Sequence, residues 1–149
     1  MWSIMPATSQ AQAQPRQLTP YERIGGRAPI AEMVERFYDF METEPGFARL
    51  RALHQADLGP MREKLTDFLV AWTGGPRDWF DKNPGSCMMS AHAAIPGIDR
   101  ETAEQWIACM TRASRHIVEQ DPDMAAAILD AMASMCRAMA RRAELTVAD

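Results

Sequence analysis

The chain has 149 residues, 47% of them apolar and 24% charged, with a net charge of −4. That balance fits one globular domain with a core of its own, and it excludes a disordered chain or two comfortable domains. The acidic excess argues against nucleic acid as a partner, because a basic face is needed to displace counterions from phosphates.

Residues 1–19 are rich in Ala, Gln, Ser and Pro, with Arg16 as their only charge, and carry too little apolar surface to offset ordering. They predict a flexible leader, followed by a folded domain over 20–145 and a short tail over 146–149. Structure is expected to begin at Thr19-Pro20-Tyr21-Glu22, where Thr caps a short helix, Pro suits its first position, and Gly25-Gly26 stops it. Ile30, Met33, Val34, Phe37, Tyr38 and Met41 then repeat on one helical face up to Pro45-Gly46. An irregular stretch through Leu53-His54-Gln55 leads to Asp57, a candidate cap. The next helix carries Met61, Leu65, Phe68, Leu69 and Trp72 on one stripe and ends at Gly74-Gly75-Pro76.

Residues 76–98 are the least regular, with one short helix predicted from Ser86 to His92. Asp99 is placed to cap a long helix bearing Ala103, Trp106, Ile107, Met110 and Ile117. Asp121-Pro122-Asp123 opens a last helix with Met124, Ile128, Ala131, Met132, Met135 and Met139 facing inward. No alternating run is long enough for a strand, so the fold class is all-α. No apolar run approaches the roughly 20 residues that cross a bilayer. The opening Met1-Trp2-Ser3-Ile4-Met5-Pro6 lacks the basic start and apolar length of a secretory signal. Cys87, Cys109 and Cys136 contain no CxxC pair, so the expectation is reduced thiols in a cytoplasmic protein, with neither a disulfide framework nor a zinc site. The 12 methionines fit irregular packing, either in an ordinary core or around a group that is not protein.

Catalytic motifs are scarce: there is no Gly-rich phosphate loop, HExxH or GxSxG. His116, among Arg112, Arg115 and Glu119, reads as a solvated surface residue. His92 ends its short helix among Met88, Met89 and Ala91, and from its neighbours alone it reads either as a satisfied structural histidine or as a ligand.

Tyr21-Glu22-Arg23-Ile24-Gly25-Gly26, Arg36-Phe37-Tyr38, Leu53-His54 with Ala56-Asp57-Leu58, Arg62-Glu63-Lys64-Leu65, Gly74-Gly75-Pro76, His92, and Gln105-Trp106 with Cys109-Met110 follow one another in order. Together they resemble the group II truncated haemoglobins, bacterial-type globins in which two helices pack over two around haem. The resemblance runs from about Tyr21 to Ala143. It implies haem b as cofactor, with His92 binding the iron and dioxygen or another diatomic molecule as ligand. Tyr38 and Trp106 fall at the distal donor positions, and His54 falls at the corner before the distal helix, where it would add a third polar contact. The resemblance further implies a pocket lined by Phe37, Met61, Leu65, Phe68, Trp79, Phe80 and Met88, with Met89 beside them. Met61 would narrow direct entry, and Lys64 or Arg62 would pair with the haem propionates. The chain departs from the family pattern at Ala91, where a basic residue often stands, and at Ala93-Ala94-Ile95-Pro96-Gly97, which lacks the usual Pro-Phe.

Besides ligand binding, the same residues would serve a haem-dependent redox enzyme, peroxidase-like or dioxygenating nitric oxide, supplied by a reductase. A haem-free helical interaction or sensor module is the reading from another class. A monomer or homodimer is expected, with no membrane partner.

Overall fold

The computed structural model describes residues 17–84, 92 and 95–148, with side chains given up to residue 145. These residues form helices and turns without a strand. The helices are α1 (Pro20–Arg23), α2 (Arg27–Thr43), α3 (Ala48–Ala52), α4 (Gly59–Trp72), α5 (Asp78–Lys82), α6 (Arg100–Ala113), α7 (Arg115–Gln120) and α8 (Pro122–Ala148). A 3-10 turn, Pro45–Phe47, joins α2 to α3. None of the helices described is long and apolar enough to cross a membrane.

The architecture is two helix pairs, α2 with α4 and α6 with α8, joined where α2 packs on α6. The predicted stripe of α2 is the buried one: Ile30, Met33, Val34, Phe37, Tyr38 and Met41 all leave water. Each such side chain contributes roughly 1.5–3 kcal/mol of burial. Cys109, Met110 and Ala113 of α6 and Ile128 and Met132 of α8 complete this core.

The helix starts follow the caps. Thr19 and Glu22 form a reciprocal capping box on α1, and Asp99 and Thr102 do the same on α6. Asp121 accepts from the Met124 N–H at the start of α8, 3.1 Å away. Asp57, the expected cap, stands one residue before the actual N-cap, Leu58, and accepts from the Gly59 N–H at 2.9 Å.

The glycine pairs work in two ways. Gly25, Gly26 and Gly74 have φ of 102°, 87° and 100°, a region that side-chain-bearing residues rarely adopt. Gly75 is needed for closeness instead. A Cβ there would lie 2.7 Å from the Tyr21 ring and 2.8 Å from the Val70 carbonyl. Tyr21 also donates its N–H to the Thr73 carbonyl at 2.9 Å, so α1 is seated on the turn that ends α4.

Four sequence expectations change. The long helix after Asp99 breaks at Ser114, whose hydroxyl turns back to the Thr111 carbonyl, leaving α6 and α7 as separate helices. Residues 48–52 and 78–82 are helical where irregular chain was expected. Ala131 faces water because the buried stripe of α8 runs through Ala125, Ile128, Met132 and Ala133. The last helix continues to Ala148, beyond 145.

Candidate functional site

α2 and α6 cross where Phe37, Tyr38 and Trp106 meet. The Phe37 ring centroid lies 5.0 Å from that of Tyr38, edge to face, and 5.1 Å from that of Trp106. Tyr38 and Phe37 are fully buried, and Trp106 is partly so. Burial pushes the Tyr38 phenol far above its ordinary pKa, with the Arg62 charge pulling the other way, so it stays protonated and able to donate. Among the described residues none accepts from the Tyr38 hydroxyl or the Trp106 indole N–H, and the one buried side-chain polar atom without a partner is His116 Nδ1 instead.

Cys109 is one turn beyond Trp106, and its thiol donates to the Phe37 carbonyl at 3.2 Å, tying α6 to the residue before Tyr38. Burial holds that thiol up at about 12 and keeps it from acting as a thiolate. Sequence reasoning missed this tie. The three-residue spacing of Trp106 and Cys109 was its one visible sign.

The corner after α3 brings in His54, whose ring centroid is 6.0 Å from that of Tyr38. Arg51 pins this corner by donating to the carbonyls of Gln55 and Ala56, and Gln105 accepts from the Leu50 N–H at 3.0 Å. His54 Nδ1 donates to the Leu50 carbonyl at 2.9 Å. Its pKa is lowered, first by burial and further by the charges of Arg51 and His92. The neutral ring therefore offers Nε2 as an acceptor rather than as a third donor.

A second aromatic cluster joins α4 to α5. Phe68, Trp79 and Phe80 meet edge to face, with centroids 5.0 Å apart for Phe68–Trp79 and 5.5 Å for Trp79–Phe80. Leu65 packs against the same core. Met61, 36% exposed, stands one turn before Leu65 on the same face of α4, and Lys64 is exposed. Arg62 is unavailable to a propionate because its guanidinium is taken up by Glu35, Asp39 and Glu42. Lys64 makes no ion pair among the described residues.

His92 has helical backbone, is half-buried, and accepts at its carbonyl from the Ile95 N–H, 3.0 Å away. Met88, Met89, Ala91, Ala93 and Ala94 lie outside the described residues, as does most of the helix expected from Ser86. His116 is not the solvated residue expected. It is half-buried, with Nε2 2.9 Å from the Pro29 carbonyl and 3.1 Å from Glu32 Oε2, and it latches α7 to α2.

The His92 imidazole, aromatic walls on α2, α4, α5 and α6, and two donors whose hydrogens no described residue accepts form a donor set that fits haem.

The comparisons agree with that fit. The sequence model of a family described as bacterial-like globin matches residues 19–141. The group 2 truncated hemoglobin YjbI of Bacillus subtilis is 29% identical over 98 residues, 66% of this chain and 70% of that protein. A group II 2-on-2 hemoglobin from Agrobacterium tumefaciens superposes with a TM-score of 0.78 at 30% identity, covering 85% of this chain and 96% of the other. A cold-adapted truncated hemoglobin from Pseudoalteromonas haloplanktis gives a TM-score of 0.76 at 28% identity, covering 82% and 97%.

Proposed function

The chain belongs to the bacterial-like globin family, haem proteins that bind diatomic ligands, and on that premise we propose that His92 holds the iron of haem b while Tyr38 and Trp106 stabilise dioxygen or another diatomic ligand. When bound, haem b would be held by the His92 imidazole and would supply an iron able to take up a diatomic ligand.

The chain's own residues do the rest. Tyr38 and Trp106 offer an O–H and an N–H from two different helices, held side by side through Phe37. Neither donor is engaged by a described residue, so both hydrogens are left to a ligand that accepts, and this juxtaposition beside Phe37 carries the reading. Such donors favour a ligand with negative charge on its outer atom and slow its release. His54, neutral and presenting Nε2, orients donors rather than adding one. Phe68, Trp79, Phe80 and Leu65 supply the apolar walls that exclude water. Lys64 is the cation left for the propionates, and Met61, exposed one turn before Leu65, narrows entry from solvent.

The same donors would serve a redox reaction fed by a reductase, and peroxide distinguishes the two. A ferrous protein that holds dioxygen stably and is inert to peroxide is a ligand binder; rapid oxidation by peroxide marks an enzyme. The primary test is the absorption spectrum of the purified chain with haem. A Soret band, and a dioxygen off-rate that rises in Trp106→Phe, are expected. No Soret band after haem addition would return the chain to the haem-free interaction module.

A further inference from the structure

We infer that Arg62 is a positioning residue that fixes the Tyr38 ring, and so the direction of its O–H, by clamping α4 onto α2. The inference rests on the reading of Tyr38 as the ligand's donor.

Glu35, Asp39 and Glu42 are spaced four and three apart and line one outward face of α2, next to the stripe that buries Tyr38. Arg62 of α4 reaches all three. Its Nη1 donates to Glu35 Oε2 at 2.7 Å and to the Glu35 carbonyl at 3.2 Å; its Nη2 donates to Asp39 at 2.9 Å and Glu42 at 3.4 Å. The burial is asymmetric. The Arg62 side chain is 19% exposed, whereas Glu35 and Asp39 are 57% and 66% exposed. The carboxylates stay in water and the cation is drawn inward, where its guanidinium carbon lies 5.7 Å from the centroid of the Tyr38 ring.

An isolated surface ion pair contributes little, because two flexible side chains must be held against solvent. Here one rigid planar fork is held by four acceptors on a single helix, so little freedom remains to it. Phe37 and His54 meet the Tyr38 ring edge to face. The Arg62 face is the one closed by a charged group from the opposing helix. With that face open, the ring keeps its burial but loses a wall, and the phenol loses a fixed aim. Preorganisation of this kind matters most for a donor that must meet a small ligand.

The test is a double-mutant cycle on the haem-loaded protein with Arg62→Met, Tyr38→Phe and both, reading the dioxygen dissociation rate and the infrared stretch of carbon monoxide bound in the ferrous state. Arg62→Met should speed dissociation about fivefold, the equivalent of one net hydrogen bond. It should also broaden or shift the carbon monoxide band, and both effects should vanish in the Tyr38→Phe background. Should Arg62→Met fail to fold, Asp39→Asn with Glu42→Gln loosens the same clamp and is read the same way, with the same direction expected. An unchanged rate and band beside a fast Tyr38→Phe overturns the inference alone, as does an equal effect with and without the Tyr38 hydroxyl. If Tyr38→Phe itself changes neither readout, the reading of Tyr38 as donor fails and the inference falls with it.

Discussion

At one end of the core, Ile24, Ile30, Met33, Ile117, Ile128 and Met132 close around a cavity of only about 10 Å3, at the margin of holding one water. The two hydroxyls that line it are satisfied, Thr73 by the Leu69 carbonyl at 2.7 Å and Ser114 by the Thr111 carbonyl at 2.9 Å. At the other end, Phe37, Tyr38, His54 and Trp106 meet edge to face or tilted, and the Tyr38 and Trp106 donors have no acceptor among the described residues. The hydroxyls of the first end are committed to the fold. The second keeps two donors that no described residue engages, which leaves them for a small ligand.

If the two ends are separable, mutations should sort by readout. The largest effect belongs to the closed end. Met132→Ala should lower the unfolding free energy by about 2–5 kcal/mol in denaturant titration, through lost burial and a new cavity. The dioxygen off-rate should stay where it was; a changed off-rate would merge the two ends. Trp106→Phe should do the reverse, speeding dioxygen release by an amount equivalent to about 1 kcal/mol or more in stopped-flow measurements. It should cost less stability than Met132→Ala because a ring still packs on Phe37. Asp99→Ala removes the α6 cap and should cost about 1 kcal/mol of stability without moving ligand kinetics. A faster off-rate there would mean that α6 shifts Trp106 when its first turn frays.

The smallest effect is on acid stability at the closed end. The Met124 N–H, and then Arg23, holds the Asp121 carboxyl below its ordinary value of 3.8. The stability this contributes is present above that ordinary value and is lost as pH falls through the lower folded one. Asp121→Asn should therefore flatten the fall in Tm on acidification from about pH 5 to 3. An unaltered acid limb would show that other carboxylates set it.

Much of the closed end was legible in the sequence because it is written in local signals. The Ile30 to Met41 stripe, the Thr19 and Asp99 caps and the Gly25-Gly26 stop each act within a few residues. The break at Ser114 was not, since a single hydroxyl turning back on its own helix leaves the apolar period of Trp106, Met110 and Ile117 intact. Short α3 and α5 span too few turns to show a period at all. At the aromatic end, Phe37, Tyr38, His54 and Trp106 came from ordered motifs, and the fold brings them together. What escaped were side-chain commitments across long sequence distances. Arg62 was read as a propionate partner and His116 as solvated, but the acceptors that claim them, all on α2, are invisible from their own neighbours. The Cys109 tie to Phe37 joins positions that only the crossing of α2 and α6 brings together.

The most direct test of the account is the absorption spectrum of the haem-loaded His92→Gly protein, ferric and ferrous, with and without added imidazole. The account predicts that the substitution weakens haem retention or displaces the Soret band, and that free imidazole restores the wild-type spectrum. A Soret band indistinguishable from wild type in His92→Gly without imidazole would contradict it.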